Sequence, residues 1–118
     1  VTEMEGNGKT RIERHGAITA IRPTGPLRVD GLERLNQNVQ AVLVGGIPNV
    51  VVDLSETPLI DGAGLEWILS LDETCCRRGG CVRLCGANEL CSDILRITGV
   101  GKIVQKFHDL TAALGSFA

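Results

Sequence analysis

The residues with the most chemical potential are two carboxylates, Asp53 and Asp61, joined by a short loop that also carries the hydroxyls of Ser55 and Thr57. Paired carboxylates can divide the work of a general acid and a general base. Their settings argue for structural roles instead. Asp53 closes the apolar run Val50-Val51-Val52, where a carboxylate accepts backbone N–H bonds from the turn that follows. Asp61 precedes Gly62-Ala63-Gly64-Leu65, where its charge favours the positive end of a helix and its side chain can cap it. A helix start exposed in this way is a place where proteins bind an anion, carry a phosphate or dock a partner.

The remaining chemistry is sparse. Gly62-Ala63-Gly64 lacks the third glycine of a dinucleotide fingerprint, and neither a phosphate-binding Gly-x4-Gly-Lys loop nor a Gly-x-Ser-x-Gly elbow occurs. His15 falls in a hairpin turn and His108 just after a strand, so no nucleophile meets a base and no enzyme is expected. The five cysteines, Cys75, Cys76, Cys81, Cys85 and Cys91, are odd in number and crowded into one third of the chain. That is a poor disulfide framework, and their spacing is not that of a zinc site. With no signal-peptide pattern at the start, they are expected to be reduced thiols in a cytoplasmic protein, acting mostly as small hydrophobes. No metal or cofactor is expected. A net charge of −2 gives no footprint for nucleic acid, and no apolar run reaches the roughly 20 residues that membrane insertion requires.

The elements that must position Asp61 follow from periodicity. Residues 1–9 read as a flexible tail, and residues 10–118 as a single domain. Lys9–Arg14 and Ala17–Arg22 read as a hairpin about His15-Gly16, and Pro23-Thr24-Gly25-Pro26 as a loop. Asp30 is expected to cap a helix, with Glu33 completing a capping box and Leu32, Leu35, Val39, Val42 and Leu43 forming its apolar face. Gly45-Gly46 and Pro48 end it, and Asn49–Leu54 is a buried strand.

A second helix spans Ala63–Arg78. Leu65, Ile68, Leu69, Asp72 and Cys76 make one stripe, and Ala63, Trp67, Leu71 and Cys75 make its neighbour. Gly79-Gly80 stops this helix before a strand over Cys81–Cys85. Asn88 caps a third helix, with Leu90, Ile94 and Ile97 as its apolar stripe and Gly99 at its end. A strand over Ile103–Phe107 and a helix capped by Asp109 complete the order β-β-α-β-α-β-α-β-α. This is an α/β fold with a mixed β-sheet and flanking helices, since strand-helix-strand units impose parallel neighbours and the hairpin an antiparallel one.

These motifs resemble those of the STAS domains of sulfate transporters and anti-sigma factor antagonists. The resemblance rests on Val50-Val51-Val52-Asp53-Leu54-Ser55, then Ile60-Asp61-Gly62-Ala63-Gly64-Leu65 and a helix ending in Arg77-Arg78-Gly79-Gly80. Gly25-Pro26-Leu27 is similar to the family's Gly-x-Leu, and Leu95-Arg96-Ile97-Thr98-Gly99-Val100 to its Leu-x-x-Thr-Gly-Leu. The resemblance implies a STAS-like sheet and a non-enzymatic, anti-anti-sigma type of module. Its partner would be an anti-sigma factor or a related Ser/Thr kinase-like protein.

In such antagonists a Ser or Thr just after the Asp is phosphorylated, which breaks the complex. Here that position is Gly62, followed by Ala63, so the phosphoacceptor site is degenerate. The implied partner surface comprises Asp61, Gly62, Ala63, Glu66 and Trp67, with Thr24 and Arg28 from the adjoining loop. Trp67 is read either as core packing or as an exposed anchor. Two alternatives stand beside sigma control: a scaffold or accessory subunit of a sensor complex or transporter, and a nucleotide- or small-ligand-binding domain. Self-association into a homo-oligomer stays open.

Overall fold

A computed structural model describes residues 2–6 and 10–117, with side chains from Thr10 onward. Six strands form one sheet in sequential order: β1 (Thr2–Gly6), β2 (Thr10–His15), β3 (Ile18–Pro23), β4 (Asn49–Asp53), β5 (Cys81–Cys85) and β6 (Gln105–Phe107). The first three are antiparallel neighbours, and β3 to β6 run parallel, so the sheet is mixed as the pattern predicts. The helices are α1 (Val29–Val42), α2 (Gly62–Arg77), α3 (Glu89–Thr98), the single turn α4 (Val100–Ile103) and α5 (Leu110–Gly115).

Thr2–Gly6 is a strand and not the tail expected there. It pairs with β2 from Thr2 opposite Arg14 to Gly6 opposite Thr10. The overlooked cue is the dipeptide Asn7-Gly8, a hairpin signal set between two stretches of alternating residues. Val1, residues 7–9 and Ala118 lie outside the described residues.

Strand alternation sorts the core into two layers. Ile12, Ile21, Val50, Val52, Val82 and Leu84 point to one face and pack with Leu35 and Val39 of α1, Trp67, Ile68 and Leu71 of α2, and Cys91 and Leu95 of α3. Val51 and Cys85 point to the other, where α5 supplies Ala113 and partly buried Leu110 and Leu114. Arg83 secures this second layer: its Nη1 donates to Ser116 Oγ at 2.7 Å and its guanidinium stacks 4.2 Å from the Phe117 ring centre.

Three helical details differ from the sequence reading. First, α1 starts at Val29, with Arg28 at the N-cap position and no side-chain cap bond. Asp30 therefore lies in the first turn, and the expected Asp30–Glu33 capping box does not form. Second, the buried stripe of α3 is Cys91 and Leu95, while Leu90 and Ile97 stand in solvent. Periodicity finds an apolar stripe but does not say which side meets the sheet. Third, the last strand is shorter than expected, because residues 100–103 wind into α4 after Gly99 ends α3 in the left-handed region.

Cys75, Cys85 and Cys91 are buried thiols, and Cys76 is exposed. Burial, reinforced by the neighbouring Asp53 carboxylate, pushes the Cys85 thiol up to about 12; burial with Asp72 pushes Cys75 up to about 11, both from an ordinary value of 9.0. The folded state thus disfavours both thiolates. Their contribution is whole below pH 9 and is lost as pH rises through 9 toward 11 and 12, because the unfolded chain then binds fewer protons. Urea unfolding is expected to show stability falling above pH 9 by up to about 1.4 kcal/mol per pH unit for each thiol. Cys75→Ala/Cys85→Ala is expected to flatten that slope. The chain has no tyrosine to obscure the measurement.

Candidate functional site

The site is built where two loops meet at the C-terminal ends of β3 and β4. Backbone bonds join them: Gly25 N–H donates to the Glu56 carbonyl at 3.0 Å, Leu27 N–H to Leu59 at 2.9 Å, and Asp61 N–H to Leu27 at 3.0 Å. Leu27 and Ile60 form an isolated parallel bridge, and both side chains are buried. A short extra ladder therefore runs beyond the sheet and holds the starts of α1 and α2 side by side.

Asp61 completes this junction. Its Oδ1 accepts from Gly64 N–H at 2.9 Å, the N-cap bond of α2, and its Oδ2 lies 3.4 Å from the Val29 N–H that opens α1. One carboxylate thus faces two helix N-termini, each carrying a partial positive charge. This replaces the local cap expected from Asp30: the acceptor for α1 comes from a distant part of the chain. Gly64 makes the approach possible. A Cβ there would lie 2.5 Å from the Leu27 carbonyl oxygen and 2.9 Å from Ile60 Cγ2.

Asp53 has the structural role its position implies. Its Oδ1 accepts from Ser55 N–H at 3.0 Å, and its Oδ2 accepts from Arg22 Nε at 3.1 Å. Arg22 also reaches Glu56 Oε2 at 3.9 Å, tying the β4–α2 loop to β3. Of the two loop hydroxyls, Ser55 is exposed, whereas Thr57 is 2% exposed and its Oγ1 has no hydrogen-bond partner.

The structure groups most of the expected surface. Asp61 and Ala63 are half-buried, and Gly62 and Glu66 are placed on the first turns of α2, both exposed. Half-buried Thr24 and exposed Arg28 lie in the adjoining β3–α1 loop, where Arg28 Nε is 3.6 Å from Asp30 Oδ1. Trp67 does not join them. It is 7% exposed, packs into the main core, and its Nε1 donates to Asn36 Oδ1 of α1 at 3.2 Å. The exposed-anchor reading of Trp67 is therefore corrected: its stripe turns inward because α1 crosses on that side.

Two residues that the sequence reading missed stand in its place, Val29 at 73% and Leu59 at 37% exposure. Their types gave no signal, since an apolar residue at a helix start or before a buried Ile reads as core. Beside them, a cleft of about 710 Å³ runs between the β3–α1 loop and α1, lined among others by Thr10, Pro23, Leu27, Leu35 and Asn38.

At Gly62 itself there is open space: no atom lies within 4 Å of where a Cβ would sit, and φ is not positive. A hydroxyl-bearing side chain would fit. Its absence is a property of the residue and not of the backbone. The dual role of Asp61 gives a direct expectation. Asp61→Ala should destabilise the fold by about 1–2 kcal/mol, as loss of a strong N-cap does, and Asp61→Asn by clearly less because Asn also caps well. Urea unfolding followed by Trp67 emission measures both, and equal losses would contradict the capping account.

Comparison with known proteins agrees with this architecture. The STAS domain family model matches residues 9–113. No curated protein sequence gives a significant match. Among solved structures, a candidate anti-sigma factor antagonist from Thermotoga maritima superposes with a TM-score of 0.82 at 19% identity, over 89% of this chain and 91% of that one. An anti-sigma factor antagonist from Mycobacterium paratuberculosis gives 0.81 at 21% identity, over 91% of both chains. A part of the murine Slc26a9 anion transporter gives 0.74 at 16% identity, over 86% of this chain and 18% of the transporter. At these identities the likeness shows the fold, and the family match covers most of the chain: the protein belongs to the STAS domain family.

Proposed function

We propose that the chain is a non-enzymatic, partner-binding regulator of the anti-sigma factor antagonist type, acting in the cytoplasm. It docks an anti-sigma factor, or a related Ser/Thr kinase-like protein, through the first turns of α2 and the β3–α1 loop. The observation that carries this reading is the junction at Asp61. Two helix starts and two loops are locked into one rigid platform, on which Gly62 is exposed and sterically open. A preorganised surface loses little conformational entropy on binding. Val29 and Leu59 supply apolar contact beside it, and Glu66, Arg28 and Thr24 a polar rim.

Phosphorylation at the usual position cannot regulate this docking, because Gly62 and Ala63 carry no hydroxyl. A phosphoserine there would add about −1.5 to −2 charges at pH 7 next to the Asp61 carboxylate. The chain therefore holds the unmodified, binding-competent form of the platform permanently. Thr57 is too buried to serve as a substitute acceptor.

A second reading is an accessory STAS module of a transporter or sensor complex. The likeness to the part of Slc26a9 supports it, since the same fold occurs there within a membrane transporter. Among the described residues no helix is long and apolar enough to cross a membrane.

Calorimetric titration of the purified chain against the anti-sigma factors of its own genome tests the first reading. Gly62→Asp is expected to weaken binding by about ten-fold or more through like charge beside Asp61, with no loss of fold. Gly62→Ser is expected to keep binding until the partner kinase and ATP are added, when mass spectrometry finds phosphate on residue 62 and affinity falls. Phosphorylation of the wild-type chain with loss of binding, or full affinity in Gly62→Asp, would overturn the proposal.

A further inference from the structure

The apolar stripe of α3 found by sequence periodicity faces largely outward. Leu90 is 52% exposed and Ile97 is 74% exposed, with Ile94 half-buried between them. These residues fall one above another at i, i+4 and i+7, about 10 Å of continuous apolar helix face. Scattered exposed apolar residues need no explanation, but a stripe two turns long does.

A flank of α2 lies beside it. Trp67 of α2 bonds to Asn36, so α1 lies on the Trp67 side of α2. Leu65 and Leu69, half-buried, lie on the opposite flank by helical geometry, with Asp72 and Cys76 continuing the row. That flank faces α3, because α3 follows β5, which sits on the far side of β4 from β3. On α3, Ser92 lines a small cleft with Lys106 and Phe107 of β6, so Leu90, Ile94 and Ile97 occupy the flank turned toward α2. Among the described residues, no hydrogen bond or ion pair joins α2 to α3. The two apolar rows thus lie on the neighbouring flanks of α2 and α3.

Charge decides what fits there. Helix α2 carries Glu66, Asp72 and Glu73 against one cation, Arg77, and α3 carries Glu89 and Asp93 against Arg96. The two helices together are net −3 while the whole chain is only −2, and neither contains a lysine. Both arginines are held by acidic residues of their own helix, Arg77 at 3.5 Å from Glu73 and Arg96 at 3.4 Å from Asp93. A second copy presenting the same face would bring like charges together, and an anionic lipid surface would be repelled.

We propose that the α2–α3 groove is a second docking site, and that its occupant is an amphipathic helix of another protein with an apolar stripe flanked by lysine or arginine. Leu65, Leu69, Leu90, Ile94 and Ile97 receive the stripe, and Asp72, Glu73 and Asp93 receive the basic flanks. This is helix-in-groove recognition, read through i, i+3/i+4 and i+7 anchors. It uses a face different from the Gly62 platform and does not depend on the function proposed for it.

The test uses the whole chain and three labelled synthetic peptides of about 15 residues, a length at which a designed helix holds. One has a leucine stripe with lysine flanks, one has the same stripe with glutamate flanks, and one is a scramble of the first. In fluorescence anisotropy, the lysine-flanked peptide is expected to bind at least about ten-fold more tightly than either of the others. Its amide NMR perturbations should map to α2 and α3. Leu90→Ser/Ile97→Ser, at exposed positions that leave the melting temperature unchanged, should lose that binding. Val44→Ser/Ile47→Ser, at an exposed loop elsewhere, should keep it. Three results would overturn the proposal: equal binding of the glutamate-flanked or scrambled peptide, full binding by Leu90→Ser/Ile97→Ser, or a dimer in sedimentation equilibrium that this variant abolishes.

Discussion

The junction between Leu27 and Asp61 governs the architecture of the functional end of the molecule. Its backbone bonds extend the parallel pairing of β3 and β4 beyond the sheet proper. The Asp61 carboxylate then faces the first N–H groups of both α1 and α2. Helix starts carry unsatisfied donors that water would otherwise solvate. One shared acceptor satisfies part of both sets and fixes the helices relative to each other. Without Gly64 the two loops could not approach, because a side chain would collide with the Leu27 carbonyl.

The two faces of the sheet are treated unequally. Three long helices cover one face and bury most of the core there, whereas the six-residue α5 covers part of the other. A short helix cannot hold itself by propensity. Asp109 caps α5 through Ala112 N–H at 2.8 Å, and Arg83 holds its end by a hydrogen bond to Ser116 and by stacking on Phe117. The buried thiols serve the same packing. Cys85 lies in the α5 layer and Cys75 and Cys91 under the large helices, each acting as a small apolar side chain.

The proposed docking platform and the α2–α3 groove differ in chemistry although α2 contributes to both. The platform is small, polar-rimmed and rigid, and its distinguishing residue is one that lacks a side chain. The proposed groove combines the exposed apolar stripe of α3 with the net negative charge of α2 and α3. A STAS domain offering two such surfaces would bring two partners onto one small scaffold, which suits a regulatory module.

Much of the site was legible in local chemistry. The strand ending at Asp53, the Asp61 cap, the Asn88 and Asp109 caps and the helix ends at Gly79 and Gly99 follow from residues a few positions apart, and so does the absent hydroxyl at Gly62. These are near-neighbour effects that the chain carries wherever it goes. What required tertiary structure was every choice between two local options of similar merit. Asp30 and Glu33 offer a capping box, yet α1 begins earlier because Asp61 arrives from across the fold. Trp67 turns inward because α1 supplies both a packing surface and Asn36. The stripe of Leu90, Ile94 and Ile97 is as apolar as the pair that was buried. Only the seating of α3 on the sheet selected Cys91 and Leu95 for the core and left the other flank in water. The sequence by itself therefore determined most of the elements, their local caps and the missing acceptor. The tertiary structure decided which faces meet, since burial depends on neighbours that no local spacing encodes.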